Sequence, residues 1–439
     1  MANLAELHRR LAPCFRRSQP RAQAGKYIGA LMSDLPRKNG WTIAEHVGDA
    51  TPDPTQRLLN HAVWDHDQAM GVVRGFVVEQ LGSQPLRVAA LDESGQEKQG
   101  EHTAGGKRQY MGCAGRVANG VNTVYCSYAT PGGHALVGAR IYLPAEQLAD
   151  PGRRAALGIS PTMEFRTKPQ LAQDILADMI ADQTMPPWAA GDEVYGRSGG
   201  LRTFLQDNGI GYVMRVGCAF HVELTRDRPL RVDRAVATHL TGRKHQRRWQ
   251  VCSVTGSKGE RAYAWAWLAT TSPRHYLLIR KHRVTGEVAY HYCWVPPGQP
   301  VTLMTLVRVA CLRWPVEEGF EFGKDHFGLD HSQVRLYTAL LRHIVLTLAA
   351  LAVCAVTAAH AKTHAPQPIL PTTPDDEPPD DPGLIAFTVA EIKRLFLLAT
   401  RSQQPETHHL HWTWWRRRHQ ARAKWFHHRT RLRRQNGTT

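Results

Sequence analysis

The sequence predicts a mixed α/β protein: a helical N-terminal domain, a mixed-sheet core interrupted by a β-rich insertion, and a basic C-terminal tail. Three observations carry this expectation. Apolar residues recur at helical spacing through the first eighty positions. Strand-like and helix-like segments then alternate as far as residue 219. The final segment, Trp412–Arg434, is dense in arginine and contains no Asp or Glu.

Residues 1–80 hold the helical stretches LAELHRRLAPCF, QRLLNHAVW and QAMGVVRGFVVEQL, with GDATPDPTQ as a turn that supplies Thr and Asp caps. This domain is a candidate DNA contact, although the pattern assigns no helix-turn-helix. From residue 81 to 219, PLRVAALDESG, VNTVYCSYAT and GHALVGARIYLP read as successive strands by β-branched content and alternation. A helix is predicted over Lys168–Gln183, a second over LRTFLQDNG ending at Gly209, and a strand over YVMRVGCAF.

Residues 220–300 form the β-rich insertion, with a basic loop RKHQRRW at 243–249. The remainder of the core occupies 301–365. Within it, Leu340–Ala359 approaches the length of a membrane span. Its Arg342 and His343, and its richness in alanine, favour a buried helix instead. The stretch 366–383 is a proline-acidic linker unsuited to a packed core. Residues 384–439 form the tail, which opens with a short helix whose Thr388 and Glu391 stand at capping-box spacing.

A formal charge of +17 arises from 55 Lys and Arg against 38 Asp and Glu. Such a balance attracts polyanions, with nucleic acid the leading partner. The eight cysteines form no CxxC pair, so neither a zinc knuckle nor a disulfide scaffold is expected. The amphipathic N-terminus does not resemble a secretory signal. The expected setting is cytoplasmic and nucleoid-associated, with no membrane.

Three acidic positions are candidates for chemistry. Asp92 ends an apolar strand in LDESG, where a surface turn is the alternative. Asp192 lies in AAGDEVYG between an alanine-rich approach and a helix, again with a surface turn as the alternative. RWPVEEGFEFGK spaces Arg313, Glu317, Glu321 and Lys324 by four, four and three residues, one broad face of a helix in which Pro315 suits the first turn. A surface ion-pair ladder is the alternative, and Glu318 and Glu321 rival Glu317.

Taken in order, these segments resemble insertion-sequence transposases with a DDE catalytic triad, especially the branch whose third signature is Y-x2-R-x3-E-x6-K. Arg313, Glu317 and Lys324 match that spacing, while Ala310 stands where the signature has Tyr. GGKRQYMG at 105–112 and YVMRV at 212–216 extend the likeness, which covers roughly residues 20–355. The resemblance implies an RNase H-like catalytic core with the β-rich insertion preceding the Glu-bearing helix.

It further implies that Asp92, Asp192 and Glu317 are the catalytic residues and ligate Mg²⁺, with Mn²⁺ as a substitute. Paired ions would activate first water and then a DNA 3′-hydroxyl. Double-stranded DNA, as transposon ends and target, is the implied partner, with a homodimer when two ends are paired. Lys107, Arg108, Tyr110, Arg313 and Lys324 are candidate DNA contacts, as are Arg416, Arg417, Arg418, Arg422 and Lys424 in the tail. Trp249, Trp265, Trp267 and Trp294 are either stacking platforms or core. A catalytically inactive DNA-binding derivative and a metal-dependent nuclease without strand transfer are the competing functions.

Overall fold

A computed structural model describes residues 1–256, 259–363, 380–381, 384–400 and 404–435. The linker predicted at 366–383 therefore lies outside the described residues, apart from Asp380 and Asp381.

The first eighty residues fold as helices over Ala2–Leu11, Ser18–Leu31, Gly40–His46, Asp53–Asn60 and His66–Leu81. Local chemistry sets their starts. Asn39 and Thr42 form a reciprocal capping box, and Asp65 accepts from the Gln68 amide at 2.9 Å.

The strands that follow are β1 (Val88–Glu97), β2 (Lys107–Met111), β3 (Arg116–Ala129), β4 (His134–Ile141), β5 (Trp188–Gly191) and β6 (Gly211–Val216). Then come β7 (His221–Thr225), β8 (Arg228–Arg231), β9 (Gln250–Gly256), β10 (Gly259–Ala269), β11 (His275–His282) and β12 (Val288–Trp294). Among the described residues, ten of these form one sheet in the order β2-β3-β1-β5-β6-β12-β11-β10-β9, with β4 also paired to β3.

Strand β1 runs antiparallel to β3 and parallel to β5, and β5 runs parallel to β6. The order β4-β3-β1-β5-β6 in this mixed sheet is consistent with an RNase H-like core. Strand β12 pairs antiparallel with β6, so the strands of 250–294 extend that sheet. Sequence alternation reveals such strands but not where they dock.

Both faces of the central strands are covered, which is why Val88–Leu91 reads as an unbroken apolar run. One face packs on the helices Lys168–Ala181, Pro315–Phe327 and Tyr337–Thr363. On the other, Val88, Trp188, Ala190 and Val213 meet the helix Leu303–Cys311.

The Tyr337–Thr363 helix has its apolar window wholly buried within the protein. Its polar residues are accommodated by partners in the N-terminal helices and their connections. Arg342 donates to the carbonyls of Leu59 (2.9 Å) and Trp64 (3.2 Å), and His343 contacts the Tyr27 hydroxyl at 2.9 Å and the Gly328 carbonyl at 3.0 Å. Burial of a charged guanidinium demands such bonds. The eight cysteines are all free.

At the C-terminal end, Val389–Thr400 is helical, and the Glu391 amide donates to the Thr388 hydroxyl at 3.2 Å, half of the predicted capping box. A helix over Glu406–Gln435 follows. It docks on the N-terminal helices through Trp412, fully buried, whose indole donates to the Asp49 carbonyl at 2.9 Å. Trp415 meets Trp41 edge-on at 5.1 Å, and Arg416 pairs with Glu45.

Candidate active site

Asp92 and Asp192 are placed by the sheet register. Pairing between β1 and β5 runs from Val88 with Trp188 to Leu91 with Gly191. Asp92, midway along β1, and Asp192, the first residue past β5, each follow that last pair, so they stand at the same level one strand spacing apart. The carboxyl ends of parallel strands are where open α/β sheets place ligands.

Asp192 caps the short helix Glu193–Gly196 by accepting from the Val194 amide at 2.9 Å. Close packing explains the glycines of GDEVYGR: a Cβ on Gly196 would lie 1.9 Å from the Arg215 carbonyl oxygen on β6. The helix therefore rests directly on the neighbouring strand, fixing the Asp192 backbone.

Glu317 arrives from a different element. Pro315 starts the Pro315–Phe327 helix, with Glu317 and Glu318 in its first turn. Arg313 lies in the turn before it rather than on the helix itself, a departure from the continuous helical face drawn from the spacing. From there its guanidinium donates to Asp92 Oδ2 at 2.8 Å and to Glu317 Oε1 at 2.7 Å. The other two glutamates face elsewhere. Glu318 lies 4.0 Å from His134 Nε2, and Glu321 is exposed.

Electrostatics follow from this enclosure. Burial pushes the Asp92 carboxyl up to about 7, with Arg313 opposing and Asp192 reinforcing the shift. Asp192 is raised as well, first by burial and then by Glu93. Glu93 is itself held by two partners, Lys168 Nζ at 2.6 Å and the Tyr195 hydroxyl at 2.9 Å. Neither Tyr195 nor Lys168 was singled out by sequence reasoning. The only available signals were the Tyr within GDEVYGR and the capping residues Thr167 and Gln170 that begin the Lys168 helix.

Several other predicted contacts lie apart from these carboxylates. Lys107 pairs with Gly120 across the sheet, level with Glu97, five residues beyond Asp92. That is about 17 Å along the strand. Lys107, Arg108 and Tyr110 are a peripheral hairpin, with Lys107 bonded to Glu146 at 2.6 Å and Tyr110 exposed.

Lys324 is half-buried. It lines a small cavity with Gln96, Tyr125 and Asp330, and forms no ion pair among the described residues, with Glu321 or otherwise. The tryptophans mostly pack. Trp265 is buried, Trp267 stacks on Tyr276 at 4.9 Å, Trp294 on Tyr212 at 6.3 Å, and the half-buried Trp249 bonds the Leu240 carbonyl. In the C-terminal helix Arg417, Arg418, Arg422 and Lys424 are exposed, while Arg416 is occupied by Glu45.

Among the described residues, Asp65, His66 and Asp67 form a cluster capable of coordinating a divalent metal, their ligand atoms all within 4.8 Å. This trio begins the His66–Leu81 helix, where Asp65 is also the N-cap. It shares no residue with Asp92, Asp192 and Glu317. Those three are not gathered as tightly, because the Arg313 guanidinium stands between two of them. Their donor set still fits a hard divalent cation: carboxylate oxygens on rigid elements, around a place already held by a positive charge.

An α/β sheet thus sets Asp92 beside Asp192, with a glutamate from a following helix joined to Asp92 through Arg313, a group of carboxylates whose chemistry suits a divalent metal. A family model described as DDE superfamily endonuclease matches residues 10–274, more than half of the sequence, and the chain belongs to that family. The matched span contains Asp92 and Asp192 and ends before Glu317. The chain is also similar to a protein of Microchaete diplosiphon described as a probable transposase for insertion sequence element IS701, 24% identical over 269 residues. That alignment covers 58% of this chain and 64% of the relative, so less than two thirds of the relative's length is matched.

Proposed function

We propose that this protein is a transposase that cleaves DNA at the ends of an insertion sequence and joins those ends to target DNA. The observation that carries the reading is the level placement of Asp92, within β1 where its pairing with β5 stops, and Asp192, just past β5, with Glu317 linked to Asp92 through Arg313. Asp92, Asp192 and Glu317 would hold Mg²⁺, or Mn²⁺ in its place. Bound there, divalent ions supply the Lewis acidity that activates an attacking oxygen and stabilises the departing one.

The protein's own groups supply position. Strand register fixes Asp92, the helix cap fixes Asp192, and Lys168 with Tyr195 fixes Glu93 behind them. Lys324 serves as a phosphate contact. The exposed Arg417, Arg418, Arg422 and Lys424 act as a clamp on the DNA backbone, which suits guanidinium chemistry and the chain's net charge. The helices of residues 1–80 and the hairpin carrying Lys107, Arg108 and Tyr110 add DNA-contacting surface. Pairing of two ends calls for a homodimer, working in the cytoplasm at the nucleoid.

Purified protein incubated with labelled element ends, target DNA and Mg²⁺ tests this directly. Joined product supports the proposal. Hydrolysis without joining leaves a nuclease, and binding without cleavage leaves an inactive DNA-binding derivative.

A further inference from the structure

We propose that Arg313 is the cation this site holds in the absence of a divalent ion, and that metal enters by displacing it. The inference rests on the assignment of Asp92 and Glu317 as ligands. The guanidinium acts as a fork, with Nη1 2.8 Å from Asp92 Oδ2 and Nη2 2.7 Å from Glu317 Oε1. One planar group thus spans a carboxylate from the sheet and a carboxylate from the following helix.

Arg313 at 15% exposure and Asp92 at 16% are largely withdrawn from water, while Glu317 at 39% keeps one side open to it. Carboxylates so placed repel one another unless a cation lies between them, and leaving one unpaired is strongly unfavourable. A divalent ion binds carboxylate oxygen at about 2.0–2.1 Å for Mg²⁺. Asp92 Oδ1 already accepts from the Glu93 amide at 2.9 Å, so an ion bridging Asp92 and Glu317 competes with Arg313 for Oδ2 and Oε1. The two cations cannot share them, and the apparent metal affinity is reduced by the fraction of molecules in which the arginine bridge is closed.

Arginine suits this role because its fork reaches two carboxylates at once. Lysine presents a single compact charge and bridges less well.

The test is a Mn²⁺ titration of the full chain without DNA, following loss of the free-ion paramagnetic resonance signal. Wild type is compared with Arg313→Gln, Arg313→Lys and the double variant Asp92→Asn with Glu317→Gln. The Gln variant is expected to bind Mn²⁺ at least about tenfold more tightly, since two charge-assisted bonds no longer compete. The Lys variant falls between it and wild type, and the double variant loses this binding.

Arg313→Gln affinity equal to or weaker than wild type, with binding still dependent on the carboxylates, overturns the displacement alone. Unaltered binding by the double variant overturns the ligand assignment, and the displacement with it. Circular dichroism reports folding of each variant. Should Arg313→Gln fail to fold, an unchanged affinity in Arg313→Lys overturns the displacement instead.

Discussion

Asp92 and Asp192 stand side by side because each follows a paired position, Leu91 on β1 and Gly191 on β5, in one parallel register. The arrangement depends on the backbone rather than on any direct bond between the two side chains. Conservative changes at either position therefore alter the chemistry of the site while keeping its frame.

Asp92→Asn, Asp192→Asn and Glu317→Gln should each lower metal-dependent cleavage by more than about 100-fold, the upper range seen when groups behind a metal ligand are lost. Folding and DNA binding should persist. Glu318→Gln and Glu321→Gln should change cleavage little, since one faces His134 and the other solvent. Cleavage assays on all five decide it. Normal activity in any folded variant of the first group removes that residue from the ligand set.

Stability should depend on pH through Asp92. Its carboxyl is raised to about 7 in the folded chain, chiefly by burial, against about 3.9 when unfolded. Between those values the folded state retains a proton that the unfolded state has released, so stability falls as pH rises and levels off above the folded value. Asp92→Asn lacks this titration. In metal-free buffer the stability difference between variant and wild type should therefore move in the variant's favour as pH rises from 4 to 8, on top of a constant cost for losing the Arg313 bond. Denaturation of both proteins across that range checks the difference, and parallel profiles would falsify the assignment.

Lys324→Ala should weaken the use of DNA without shifting the metal requirement. A single lost phosphate contact lowers the salt slope of binding by about one. Cleavage measured over a grid of DNA and Mg²⁺ concentrations separates the two dependences. Full rescue by extra metal would reassign Lys324 to supporting the metal ligands.

Changing Arg417, Arg418, Arg422 and Lys424 together to Gln should weaken binding to end DNA and unrelated DNA by a similar factor, and reduce the salt slope by up to about 3–4. This is a cleaner test than removing residues 407–439, because truncation also strips Trp412 from its place against Asp49. Equal slopes would sink the clamp. Weakening confined to element ends would make the helix a reader of sequence.

Much of this was legible in the residues themselves. The apolar run of β1 interrupted at Asp92 marks where burial falls, although the strand expected to end there runs on beside β3 to Glu97, and Pro315 marks the first turn of the helix carrying Glu317. The choice among Glu317, Glu318 and Glu321 was not legible from local chemistry, because all three lie within two turns. The structure separates them by what each faces. Arg313 was expected as a DNA contact on the face of Glu317, and nothing in the spacing indicated that it also reaches Asp92. Long-range bridges of this kind depend on how helices dock against sheets, which period and propensity do not encode.

The Tyr337–Thr363 helix is a keel common to the whole molecule. It lies against the N-terminal helices on one side, and against β4 and the helix bearing Glu317 on the other. Close-packed interiors transmit strain rather than absorb it. A displacement of the N-terminal helices is thereby felt through Tyr27 and His343 at Gly328, the residue that ends the Glu317 helix. The N-terminal helices and the helix carrying Glu317 share one mechanical linkage. A loosened keel would let the two move independently.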